Sequence, residues 1–174
     1  GSIGQGVLPL ILRHVGIQPD QVTIVTADEA GEKIAQEFGV RFVKHALTRQ
    51  NFKNVLDPIV GRGDFLLNLS VDVSSLALIK FCWEKGSLYL DTCIEPWPGG
   101  YTDPTVSPAR RTNYALREEA LTLKDSKQRA PTAVLTHGAN PGLVSHLVKQ
   151  ALLNIAADTG VETAEPGTRA DWAA

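Results

Sequence analysis

Methionine is absent from all 174 residues, and a chain with none is expected to be a piece of a longer gene product. Long apolar runs are also missing: none approaches the roughly 18 residues of a membrane span, and no signal peptide is visible, so a cytoplasmic protein without a membrane partner is expected. Charge of one sign is not in excess. A formal net charge of −2 argues against nucleic acid or another polyanion as partner. Cysteine is scarce. Cys82 and Cys93 lack any Cys-x-x-Cys or Cys/His spacing, which excludes a zinc site on sequence grounds and reads as two reduced, buried thiols.

What is present describes an ordinary globular chain, 43% hydrophobic and 21% charged, long enough for one domain with a sizeable core. Its most informative stretch is the first. Gly1-Ser2-Ile3-Gly4-Gln5-Gly6 places closely spaced glycines before the apolar, helix-compatible run Val7-Leu8-Pro9-Leu10-Ile11-Leu12. A strand-to-helix turn whose backbone touches a pyrophosphate needs such glycines, because a Cβ would block the phosphate or forbid the turn. Gly1 and Gly4 fit the second and third glycines of the dinucleotide fingerprint G-x-G-x-x-G. The first glycine and the strand before it are then expected upstream of residue 1. The helix itself is expected over Val7 to His14.

Val22 to Ala27 is β-branched and nearly all apolar or small, as a parallel strand covered on both faces requires. It ends at Asp28, 24 positions after Gly4, near the spacing at which a carboxylate accepts the adenosine ribose hydroxyls and repels a 2′-phosphate. Asp28 equally suits an N-cap for a helix over Glu29 to Phe38. Further strands are expected at Val40 to Val43, within Asp64 to Asp72, at Tyr89 to Cys93 and at Thr132 to Thr136. Helices are expected from Arg49 to Val60, capped by Thr48, then from Ser74 to Lys85, Ser107 to Lys127 and Leu143 to Ile155. This alternation predicts an α/β fold, a Rossmann-like doubly wound parallel sheet lacking its first strand and a downstream substrate domain. Residues 1–157 form the dinucleotide-binding domain in this reading, and 158–174 begin a linker or second domain.

Ligands of open parallel sheets bind beyond the carboxyl ends of the strands. Ser70, Asp72, Thr92 and Glu95 fall there, although Asp72 also suits a helix cap. The segment from Pro96 to Pro104 is too rich in proline and glycine for regular structure and reads either as a lid or as a surface crossover. Trp97 within it suits a cation–π contact or simple loop packing. His137-Gly138-Ala139-Asn140-Pro141-Gly142 repeats the opening device of strand, glycine-rich turn and helix. His137 and His146 read as packed or surface histidines.

Three segments together, Gly1 to Gly6, Asp91-Thr92-Cys93-Ile94-Glu95-Pro96-Trp97 and Gly138-Ala139-Asn140-Pro141-Gly142, resemble the bacterial homospermidine synthases of the saccharopine dehydrogenase-like superfamily. The resemblance runs through the whole chain, which is much shorter than such synthases. It implies NAD-dependent conversion of putrescine to homospermidine through an imine, with loss of ammonia. It also implies a cofactor site at Gly1, Ser2, Ile3, Gly4, Asp28, Ser70 and Thr92 and a substrate pocket at Asp72, Glu95 and Asn140. Carboxylates suit a diamine, a dication at neutral pH. The catalytic base is not identified, this chain alone is expected to be inactive, and a homodimer is left open for the full-length protein. Two alternatives stand beside this reading: a saccharopine or carboxyspermidine dehydrogenase-like oxidoreductase, whose carboxylated substrates call for Arg or Lys, and an inert nucleotide-binding fragment.

Overall fold

The computed structural model describes residues 1–125, 130–136, 138, 142–162, 166–168 and 170–172. They form two compact units, Gly1–Thr136 and His137–Ala174.

The first unit alternates helices and short parallel strands. In chain order these are α1 (Ser2–His14), β1 (Thr23–Thr26), α2 (Glu32–Glu37), β2 (Arg41–Lys44), α3 (Phe52–Leu56), β3 (Phe65–Asn68), α4 (Ser75–Lys85), β4 (Leu88–Asp91), α5 (Asn113–Thr122) and β5 (Ala133–Val134). Every strand pairing is parallel, with Thr23 opposite Arg41, Phe65 opposite Leu88 and Tyr89 opposite Ala133. The ladders join into two groups, β1-β2 and β3-β4-β5, rather than one continuous sheet.

One face of β3-β4-β5 carries the core. Leu78, Ile79, Phe81 and Cys82 of α4 are almost fully buried with Tyr89, and Phe52 and Leu56 of α3 join them. The Ser74 hydroxyl accepts from the Ala77 N–H and starts α4, while Gly86 ends it in the left-handed region. Asp72 is therefore not the cap of this helix. Nor does Asp28 cap α2, which begins after Gly31; the Asp28 carboxylate instead accepts from the Ala30 N–H in a local turn, at 2.9 Å.

Most elements are shorter than the sequence suggests, because a strand ends where its ladder ends rather than where its apolar run ends. The α3 helix covers only Phe52–Leu56, with Thr48 and Asn51 bonded reciprocally in the turn before it. The expected long helix after Ser107 divides into a 3-10 turn at Pro108–Arg110, α5, and a second 3-10 turn at Leu123–Asp125. The opening glycines need the opposite correction. Residues 2–6 are helical and not a loop, with Gly1 as N-cap. Glycine lowers helix propensity without forbidding helix, and the continuous Ser2–His14 hydrogen-bonded run offsets that cost.

The second unit is built on α6 (Leu143–Thr159), entered from a parallel bridge between Gly138 and Gly142 and closed by Gly160 in the left-handed region. Lys149 lies over the Trp172 ring, 4.9 Å from its centroid. Among the described residues no helix is long and apolar enough to cross a membrane.

The helical state of residues 2–6 is testable at Gly6, where an added Cβ meets nothing within 4 Å. Gly6→Ala is expected to raise stability by about 0.5–1 kcal/mol in urea unfolding. A loss of stability would place Gly6 in a loop.

Candidate active site

The carboxyl ends of β3 and β4 converge on a buried polar network. Asn68 and Asp91 stand opposite each other in the ladder, and the Tyr89 side chain reaches both. The Asn68 Nδ2 donates to the Tyr89 hydroxyl at 3.1 Å, and that hydroxyl donates to Asp91 Oδ2 at 3.1 Å. The other Asp91 oxygen accepts from the Thr136 N–H at 3.0 Å, while the Thr136 hydroxyl donates to the Asp91 carbonyl. Asp91 has no exposed surface, so these contacts satisfy a carboxylate that water cannot reach. Burial, with the Asp91 charge adding to it, holds the Tyr89 phenol protonated, in keeping with its role as donor.

Glu95 lies four residues beyond β4 and is still only 9% exposed. Ser75, at the first turn of α4, holds its backbone twice: the Glu95 N–H donates to Ser75 Oγ at 3.0 Å, and the Ser75 N–H donates to the Glu95 carbonyl at 2.9 Å. The side chain is held differently. Glu95 Oε2 is buried and, among the described residues, has no hydrogen-bond partner. Burial pushes the Glu95 carboxyl above its ordinary pKa, the charges of Asp72 and Asp91 add to this, and contacts with the Cys93 thiol and the Asp72 backbone work against it. Burial likewise pushes the Cys93 thiol up to about 11, helped by the Glu95 charge. A buried, unpartnered carboxylate oxygen among like charges is a site that a cation completes.

The structure thus brings Asp72 and Glu95 into one electrostatic neighbourhood. Asp72 is exposed and is the one non-glycine residue with positive φ, 61°, among those described. Ser70 is exposed just past β3, where its N–H and hydroxyl both donate to Asn68 Oδ1. Thr92 is exposed directly after β4. Asn140 and His137 lie outside the described residues. Trp97 packs against Phe52 with ring centroids 5.4 Å apart, which favours loop packing over a cation contact.

On the other side, the first turn of α1 approaches the ends of both strand groups. A Cβ at Gly4 would meet Leu69 at 3.9 Å, and one at Gly31 would meet Gln5 at 3.5 Å. Gly1 provides no side-chain cap, and the first turn, with Ser2 and Ile3 exposed, contains no acidic residue. Its free N–H groups and uncrowded backbone fit a pyrophosphate. Asp28 is exposed just past β1. Beside it Lys44 is bound to Glu29 at 2.7 Å. Among the described residues no His, Cys, Asp and Glu cluster suits a metal.

Comparison with known proteins agrees with this architecture. The saccharopine dehydrogenase NADP binding domain family matches residues 1–135. The chain belongs to that family. It is 47% identical over 176 residues to a homospermidine synthase of Blastochloris viridis and 45% identical over 178 residues to one of Mesorhizobium japonicum. Each alignment takes in 99% of this chain and 37% of the relative, so the chain spans little more than a third of their length. The crystal structure of a Legionella pneumophila homospermidine synthase in complex with NAD has 46% identity and a TM-score of 0.69, matching 99% of this chain and 35% of that one. The fold is accordingly the Rossmann-like one.

Reading the sequence alone misses Asn68, Tyr89, Asp91 and Ser75. The polar Asn68 inside Leu66-Leu67-Asn68-Leu69 was an available signal, since a polar residue in a buried apolar run must find a partner.

Because burial raises the Glu95 pKa, the stability tied to its neutral form is complete below the ordinary carboxyl range and is lost as pH rises through the raised value. Glu95→Gln, which mimics the neutral form, is therefore expected to melt on the order of a few degrees higher than the parent at pH 7, with the gap closing toward pH 4. A variant less stable at both pH values would mean that a protein donor holds the carboxylate.

Proposed function

We propose that the chain is the dinucleotide-binding part of a homospermidine synthase that uses NAD to convert putrescine to homospermidine. The unpartnered Oε2 of buried Glu95 carries this reading. A primary ammonium supplies the charge and the donors that the oxygen lacks, and Asp72 adds a second, exposed carboxylate to the same crevice. Asn140 is kept as a substrate residue on the resemblance alone. Carboxylated amines, the substrates of the saccharopine or carboxyspermidine dehydrogenase alternative, would be repelled by these charges.

NAD fits the first turn of α1 at Gly1, Ser2, Ile3 and Gly4, with Asp28 on its ribose and Ser70 and Thr92 along the strand ends. The cofactor, when bound, supplies a hydride acceptor and later a hydride donor. Loss of hydride and a proton from one putrescine gives an imine; the amine of a second putrescine adds to its carbon, ammonia leaves, and hydride returns to the new imine. Two putrescines become one homospermidine and one ammonia, with no net oxidation. Glu95 and Asp72 bind and orient the cationic ends.

Asp28 disfavours a 2′-phosphate because its carboxylate repels it, and the neighbouring cation, Lys44, is engaged with Glu29. Calorimetric titration of the full-length protein is expected to give tighter binding of NAD than of NADP. Equal or tighter NADP binding would remove Asp28 from the ribose site.

Glu95→Gln in the full-length protein should lower kcat/KM for putrescine roughly tenfold to a hundredfold, the equivalent of about 1.5–3 kcal/mol for a charge-assisted hydrogen bond, with NAD affinity nearly unchanged. Unchanged putrescine kinetics would reject the ligand role.

A further inference from the structure

Residue 94, immediately before Glu95, is held by two side chains that arrive from a different part of the chain. The Tyr101 hydroxyl donates to the Ile94 carbonyl at 3.0 Å. The Asn113 Nδ2 donates to the same carbonyl at 3.1 Å and to the Tyr101 oxygen at 2.9 Å, with a longer contact to Cys93 Sγ at 3.7 Å. The two hydrogens of one amide and the single hydroxyl hydrogen thus close a three-membered node on one carbonyl.

The 96–112 segment is shaped to deliver this node. Trp97 anchors its start on Phe52, and a Gly100 Cβ would stand 2.5 Å from Pro96 Cβ, so only glycine lets the chain fold back tightly enough there. The next residue is Tyr101. Asn113 comes at the other end of the excursion, where Thr112 caps α5 through the Ala115 N–H. Tyr101 is half-buried, burial pushes its phenol up to about 12 with the Glu95 charge as the second cause, and its hydroxyl is spent on Ile94.

We infer that Tyr101 and Asn113 are positioning residues for Glu95, and that the 96–112 excursion is there to fix the aim of that carboxylate. Ser75 holds the backbone of residue 95 from α4, and the Tyr101–Asn113 node holds the carbonyl of residue 94. With both peptide units restrained, the Glu95 carboxylate is held from its backbone, and Oε2 has no partner among the described residues and is open to a ligand. Displacements of about 1 Å at such a group are enough to lower turnover strongly. The inference rests on the reading of Glu95 as the group that receives a substrate ammonium.

A double-mutant cycle in the full-length protein tests it. Tyr101→Phe keeps the ring and removes only the hydroxyl. It is expected to lower kcat/KM for putrescine about three- to tenfold with NAD affinity unchanged, and this factor should shrink below about twofold when the background already carries Glu95→Gln. Asn113→Ala should show the same dependence on Glu95. A Tyr101→Phe effect that persists in full in the Glu95→Gln background, or no effect of either variant in the parent, overturns the positioning role. If Glu95→Gln alone leaves putrescine kinetics unchanged, the substrate reading itself fails, and that result is read from a different corner of the cycle.

Discussion

Two hydrogen bonds between Ser75 and the backbone of Glu95 join the start of α4 to the chain leaving β4, and most of the site follows from that join. Ser75 has no exposed surface, and its helix carries the core residues Leu78, Ile79, Phe81 and Cys82. The position of a carboxylate at the crevice is thereby tied to the best-packed helix of the unit. A carboxylate left to find its own place would turn toward water, since an ionised group in apolar surroundings is costly. Here the backbone is fixed first, and the charge follows it into a site where its own pairing is incomplete.

Neighbouring Asp91 solves the same electrostatic problem differently. It is buried more deeply still, yet Tyr89 and the Thr136 N–H satisfy it, and its carboxylate joins the ends of β4 and β5. One acid is complete without a ligand and the other is not. The proposed ligand role of Glu95 rests on that difference more than on the presence of carboxylates at a strand edge. On the cofactor side the logic is similar: the first turn of α1 has no side-chain cap and no acidic residue, so its N–H groups retain their capacity for an anion.

The parallel α/β alternation was legible in the sequence because buried strands are near-continuous apolar runs and helices begin and end at recognisable residues. Glu95 was legible for the same reason, as a polar residue just past such a run. The limits of the elements were not, since hydrogen bonding between strands ends where the partner ends. The opening glycines were read as a loop because they fit the glycines of a dinucleotide fingerprint, whereas residues 2–6 form the first turn of α1. Tyr101 and Asn113 were invisible, because 12 residues separate them from each other and their shared target, Ile94, exposes only a carbonyl that every residue has. Trp97 left two readings open, and only its contact with Phe52 distinguishes them.

The central claim is that Glu95 Oε2 is the receptor of a substrate ammonium. A crystal structure of the full-length protein with NAD and putrescine tests it most directly. The account predicts an amine nitrogen within about 2.7–3.2 Å of Glu95 Oε2. A protein donor or water on that oxygen, with both putrescine nitrogens bound elsewhere, would contradict it.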